Sequence, residues 1–254
     1  MKKIHIALLL GFLAINGIAQ AQTNLQEMYD FNREQMTTTL EMFKADNWGS
    51  TFFFVDIYHH FDQQTPTDFY TEIARSLNFW QGTTLKDLSL HAEWNGGCGI
   101  YALTQLGYGG YPVNNAWLFG AEYFLHSEDY SNTLTIEVLY KTIRGINSQV
   151  PMQFTAVWGM KDLFGAKGLN FSGFADFWWE DHTWPVLSEY TNPGTTKCVF
   201  ISEPQLWYNI GQFFNCDNLY IGGEVEVSCN FSGKVHALTK GWEVNPAAGI
   251  KWNF

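Results

Sequence analysis

The last thirteen residues, Trp242 to Phe254, alternate almost without fault between two kinds of side chain. Trp242, Val244, Pro246, Ala248, Ile250, Trp252 and Phe254 are apolar, while Glu243, Asn245, Ala247, Gly249, Lys251 and Asn253 between them are polar or small. A period of two places these sets on opposite faces of one β-strand. A strand with one greasy face and one wet face suits a barrel wall with lipid outside and water inside. A soluble sheet would leave the terminal Phe254 poorly covered.

The N-terminus points to the same compartment. Lys2 and Lys3 precede an apolar run from Ile6 to Ile15, and Ala19-Gln20-Ala21 supplies a small-x-small cleavage site. This pattern predicts a secretory signal peptide over residues 1–21, too short to span a bilayer as a helix, and a mature chain of residues 22–254. No other segment approaches eighteen consecutive apolar residues, so no transmembrane helix is expected. Aromatics make up 17% of the chain and charged residues only 15%, against about 25% charged in an ordinary domain. Exporting so many rings argues for a membrane with interfacial aromatic girdles. Without Lys2 and Lys3 the mature chain keeps 12 basic and 25 acidic side chains, a net charge of −13. That balance excludes a nucleic-acid backbone as partner and fits a carboxylate-lined, water-filled interior.

With period two, the mature chain divides into about twelve strand-like segments separated by turn signals. They are Leu25–Phe31, Thr37–Lys44, Gly49–His60, Asp68–Trp80, Lys86–Asn95, Asn114–His126, Asn132–Arg144, Met152–Leu163, Leu169–Glu180, Lys197–Gly211, Leu219–Asn230 and Trp242–Phe254. No repeat or linker divides them. The expected fold is all-β, a single transmembrane antiparallel barrel of about 12 strands in the outer membrane of a Gram-negative bacterium. Short connections such as Ala45–Trp48 and Gln81–Leu85 alternate with long ones such as Gly96–Val113 and Asp181–Thr196, which predicts an even strand count with both termini periplasmic.

Four cysteines, Cys98, Cys198, Cys216 and Cys229, match no zinc spacing. Cys198 opens the tenth segment and Cys229 closes the eleventh, so both reach the same rim; a disulfide between them and free thiols are the two readings. Cys216 falls in the opposite turn.

Assigning the apolar set outward gives a lumen. The third segment points Phe52, Phe54, Asp56, Tyr58 and His60 inward and turns Phe53, Val55 and Ile57 to lipid. The ninth contributes Phe174, Asp176, Trp178 and Glu180, and the tenth Glu203, Gln205, Trp207 and Asn209. Glu224 and Glu226 come from the eleventh. Glu41, Glu72, His91, Glu93, Glu122, Glu137, Lys141, Lys161, Glu243 and Lys251 share the interior phase. Strict alternation turns Arg75 outward; a bulge that shifts the phase there is preferred over an interfacial arginine that snorkels. Rings beside carboxylates and amides can hold a flat polar heterocycle by stacking and edge hydrogen bonds, or can merely fill the interior of a narrow barrel. His59 and His60 are adjacent on a strand and point opposite ways. His126-Ser127 has no orienting partner or oxyanion site, so neither catalysis nor a metal or other cofactor is expected.

Several stretches resemble the nucleoside-specific channel-forming (Tsx-like) family of outer-membrane porins, closest to its uncharacterised branch from anaerobic Gram-negative bacteria. They are Thr37 to Lys44, Trp48-Gly49-Ser50-Thr51-Phe52-Phe53-Phe54-Val55-Asp56, Tyr70 to Arg75, Phe171 to Trp178 and Ser202-Glu203-Pro204-Gln205-Leu206-Trp207. The resemblance implies a monomeric twelve-stranded barrel with a narrow pore and passive diffusion of nucleosides and similar solutes. By position it carries over Trp48, Gly49, Phe54, Asp56, Glu72 and Glu203, with Phe254 as the insertion signal. One departure is the small number of basic residues in this lumen. The chain is therefore expected to be a channel for small polar solutes, nucleosides among them. The competing reading is a non-conducting barrel that binds partners through Gly96–Val113 and Asp181–Thr196.

Overall fold

The computed structural model describes residues 22–59, 67–103, 107–184, 194–231 and 240–254. The signal peptide, His60 and part of the segment 181–196 lie outside them. Thirteen strands run in chain order: β1 Gln22–Asp30, β2 Gln35–Asp46, β3 Gly49–His59, β4 Asp68–Leu77, β5 Leu88–Leu103, β6 Gly107–His126, β7 Asn132–Ile143, β8 Met152–Met160, β9 Leu169–Trp184, β10 Gly194–Ser202, β11 Gln205–Asn209, β12 Leu219–Cys229 and β13 Trp242–Asn253. Chain neighbours pair antiparallel except β10 and β11, which do not pair with each other, and β13 pairs with both β12 and β1, so the sheet closes. Closure removes the edges that would otherwise expose unpaired backbone groups. No described helix is long and apolar enough to cross a membrane, which says nothing of crossing by strands.

Strands β10 and β11 share one place in the wall, between β9 and β12. The barrel therefore has twelve positions, as expected, with one stave broken at Glu203–Pro204. Proline has no N–H to give to a ladder. The flanking bonds bridge the break: Glu203 N–H donates to Phe174 O at 3.1 Å and Val225 N–H to Pro204 O at 3.1 Å. Gly173 lies opposite on β9, where a Cβ would meet Glu203 O at 2.4 Å, so the close approach needs glycine.

The start of β1 and the end of β13 lie at one end of the barrel, where Asn24 pairs with Asn253. The connections at this end are residues 47–48, 78–87, 127–131, 161–168 and 210–218. They hold exposed rings: Trp48, Phe79, Tyr130, Phe164, Phe213 and, at the terminus, Phe254. In one of these turns Asp129 accepts bonds from Ser127 Oγ, Ser131 N–H and Ser131 Oγ, which hold its carboxyl down at about 2.

Three expectations are corrected. Gly96–Val113 is not a long loop: β5 continues to Leu103 and β6 starts at Gly107, the two paired with each other beyond the reach of β4. Short and long connections do not alternate, since the β1–β2 turn is only residues 31–34 while 78–87 sits at the opposite end. No bulge occurs at Arg75, because β3, β4 and β5 stay in strict register through it. Arg75 does face outward, but close to the rim, where it pairs with Asp46 at 2.7 Å and bonds Thr51 Oγ1 at 2.9 Å. The acid from the neighbouring hairpin end does what a phase shift was expected to do.

Candidate lumen site

Alternation divides every stave between an outer and an inner face. Outward stand Ile73, Phe119, Val138, Phe154, Ile221 and Ile250, all exposed. The inner face begins on the adjoining strands β2 to β5. Register places Phe54 between Glu41 and Glu72, Asp56 between Thr39 and Tyr70, and Tyr58 between Thr37 and Asp68. Phe52, Phe54, Asp56, Tyr58 and Glu72 thus share one face of the wall, with Phe53, Val55 and Ile57 on the other. Thr39 Oγ1 donates to Asp56 Oδ1 at 2.5 Å, and Tyr70 OH and Asn95 Nδ2 donate to Glu72 Oε1 at 2.5 and 3.0 Å. The rings of Phe52 and Phe54 stand 6.0 Å apart, and those of Phe54 and Tyr70 5.9 Å.

Phe174, Asp176 and Trp178 line a second wall, on β9. Thr155 Oγ1 donates to Asp176 Oδ1 at 2.5 Å and Trp178 Nε1 to Glu180 Oε2 at 2.7 Å. Lys141 stands among them, its Nζ 3.6 Å from the Trp178 ring centroid and donating to Gln153 Oε1 at 2.7 Å. Its charge is felt by Asp176, Glu72, Glu180 and Glu93. Gln205 Nε2 donates to Glu224 Oε2 at 2.8 Å, and Trp207 Nε1 to Gln205 Oε1 at 2.9 Å.

Around the stave break the predicted Glu203 and Asp56 gather with Glu224, Glu226 and Arg33 in one electrostatic cluster. Arg33 belongs to the β1–β2 turn and was not on the sequence list. It reaches back into the barrel, donating to Glu226 Oε2 from one nitrogen and to Asp30 Oδ2 from another at 3.0 Å. Asn32 of the same turn donates to Asn245 Oδ1 at 3.1 Å. The predicted residues therefore fall into two charged groups, one about Arg33 and one about Lys141. Lys251 adds a third cation, 4.3 Å from the Trp207 ring centroid. Lys161, by contrast, lies exposed in a turn and takes no part.

Covered inward side chains occur at several heights of the wall, from Gln26 and Trp207 toward the terminal end to Ser228 and Asn245 toward the other. Leu118, Leu139 and Trp207 are 0% exposed, and Gln26, Ser228 and Asn245 1%. Leu118 and Leu139 share the interior phase with Glu122 and Lys141; the signal was present in the alternation, but an apolar-outward rule hides inward leucines.

Register also bears on the cysteines. β10 and β12 are neighbours, yet Cys229 stands opposite Phe200, two residues from Cys198. Diagonal ladder positions lie about 7–8 Å apart, beyond the roughly 4.4–6.8 Å that a disulfide spans between Cα atoms. All four thiols are free. We expect the unreduced, denatured protein to react with a maleimide at Cys98, Cys198, Cys216 and Cys229 alike, as read by intact mass; protection of Cys198 and Cys229 together would show a shifted register.

The sequence matches, over residues 22–254, the family described as a domain of unknown function, DUF5020. The curated proteins contain no match. Among solved structures, the barrel is similar to the NanC porin at 7% identity and a TM-score of 0.53, covering 91% of this chain and 100% of that one. A BenF-like porin from Pseudomonas fluorescens Pf-5 is 12% identical, with a TM-score of 0.35 over 90% of this chain and 59% of that one. The beta domain of the Bordetella autotransporter BrkA is 10% identical, with a TM-score of 0.29 over 92% and 98%. The likeness to the NanC porin is one of barrel fold.

Proposed function

This chain belongs to the DUF5020 family, and we propose that it is a porin-like outer-membrane channel for passive diffusion of small polar solutes. One observation carries the reading: a closed wall whose outer face is mostly apolar, its polar members including Glu27 with Thr38 and His59 and Arg75 with Asp46, and whose inner face holds carboxylates, amides, rings and, among the described residues, the cations Arg33, Lys141 and Lys251. Only lipid outside and polar solutes inside make use of both faces. The apolar belt and the ring of exposed aromatics at the terminal end support a periplasmic placement of both termini, reached through a cleaved signal peptide. The edgeless sheet supports a monomer.

Phe52, Phe54, Asp56, Tyr58, Glu72, Phe174, Asp176, Trp178, Glu203 and Gln205 are the solute contacts in this reading. A row of tilted rings with centroids about 6 Å apart and carboxylates beside them suits a nucleoside, whose base stacks on one ring while its sugar hydroxyls donate. Such stacking contributes about 1–3 kcal/mol per ring, weak enough for release, as transport requires. Liposomes carrying the folded protein should swell in nucleoside solutions, and Phe54→Ala or Asp56→Ala should slow the swelling. Entry no faster than through protein-free lipid ends the proposal.

A second reading rests on the inward Leu118 and Leu139, which are fully covered. In it the barrel does not conduct and acts through its surface, with the long β5–β6 ribbon as the reaching element. A silent trace in planar bilayers, with partner binding lost on shortening that ribbon, would favour it.

A further inference from the structure

Three adjoining staves bring four ionisable side chains to one inner spot. His91 is on β5, Glu122 on β6 and Glu137 on β7, with Glu93 two residues along β5. His91 Nδ1 lies 2.8 Å from Glu122 Oε2 and 3.9 Å from Glu137 Oε2, and the donor atoms of the three residues all fall within 4.8 Å of one another. Glu122 and Glu137 face each other directly across the β6–β7 ladder. His91 reaches past β6 to Glu137 because its cross-strand neighbour is Gly120, which has no side chain. A Cβ there would strike Val138 O at 2.1 Å.

The other nitrogen is engaged as well. His91 Nε2 lies 3.1 Å from Glu93 Oε2, and Ser76 Oγ donates to Glu122 Oε2 at 2.8 Å. The His91 side chain is 4% exposed and those of Glu93, Glu122 and Glu137 12% or less. Three carboxylates about one imidazole leave negative charge in excess even when the ring is a cation, and buried charge without a partner is costly.

The geometry points to a binding site for a divalent transition-metal ion, with His91 Nδ1, Glu122 and Glu137 as ligands and Glu93 as the carboxylate that orients the imidazole. An imidazole with two carboxylates suits zinc or manganese rather than calcium or magnesium. With Nε2–H donating to Glu93, the Nδ1 lone pair faces the two remaining acids, the arrangement in which an outer carboxylate fixes the tautomer of a metal-bound histidine. Ligand bonds of about 2.0–2.2 Å set donor atoms roughly 3–3.5 Å apart, so the side chains need adjust by only about an ångström. Neither residue spacing nor a motif announces this site in the sequence, since the ligands come one from each of three strands. It does not rest on the channel reading: a barrel silent in bilayers could still hold the ion.

The test uses the folded mature protein in detergent, titrated calorimetrically with Zn²⁺ alone. One ion per chain is expected. His91→Asn and Glu137→Gln should abolish binding, Glu93→Gln should weaken it about 10–100-fold, and Glu128→Gln on an exposed turn should leave it unchanged. No saturable binding, or binding undiminished in His91→Asn, overturns the proposal. X-ray absorption of the zinc-loaded wild-type protein gives a reading even where variants fail to fold. An inner shell containing one imidazole supports the site, and a shell of oxygens without imidazole overturns it.

Discussion

Lys141→Met is expected to lower the unfolding free energy of the barrel by about 3–5 kcal/mol, the usual result of removing one partner from a buried charge group. Lys141 is 9% exposed, donates to Gln153 and lies over the Trp178 ring. Methionine keeps much of the stem but takes away the charge that faces Asp176 and Glu72. Those half-buried carboxylates would then lose the lysine among them, which is where most of the cost arises. Guanidinium unfolding of the protein in lipid or detergent measures it. The double variant Lys141→Met with Asp176→Asn should recover part of the loss, because the two sites are coupled. A loss under about 1 kcal/mol would mean that water already reaches the group, as at a surface pair.

The second large effect concerns passage. Leu118→Ala with Leu139→Ala shortens two inward side chains that have no exposure, and single-channel conductance should rise several-fold over wild type. Apolar side chains at a constriction oppose ions by excluding water from the narrowest point; shortening them admits water among Glu93, Glu122 and Lys141, which neighbour the leucines on the ladder. If the wild type is silent and the double variant conducts, the leucines are a plug in a closed barrel. If both conduct equally, the constriction lies elsewhere, and the cluster about Arg33 is the next place to cut.

Much of this architecture is legible in the sequence. Phe52, Phe54 and Asp56 against Phe53, Val55 and Ile57 on β3 is a period-two signal that needs only chain geometry. What escaped was set by three-dimensional closure. Arg33 sits in a turn, where alternation says nothing, and meets Glu226, which is 193 residues away in sequence. Gly96–Val113 is glycine-rich and looks like a loop, yet its two arms satisfy each other's backbone groups. Pro204 breaks the strand inside the segment Lys197–Gly211, which the period-two reading drew as unbroken, and the shared neighbours β9 and β12 show that the halves form one stave. The charges were listed by phase; their division into groups about Arg33, Lys141 and His91 depends on which staves are adjacent and how their residues align.

The ladder that joins the chain ends has a consequence for how the barrel is made. It runs only from Asn24–Asn253 to Asp30–Ala247, shorter than the β12–β13 ladder from Leu219–Trp252 to Cys229–Trp242. Every other pairing joins strands close in sequence, either neighbours or, at the broken stave, next neighbours (β9–β11 and β10–β12), whereas this one must close a loop of more than two hundred residues. The order of assembly follows. Pairings close in sequence are expected to form first, and the ladder between the two ends of the sheet last, with the amide of Phe254 reaching Thr23 O at 2.9 Å.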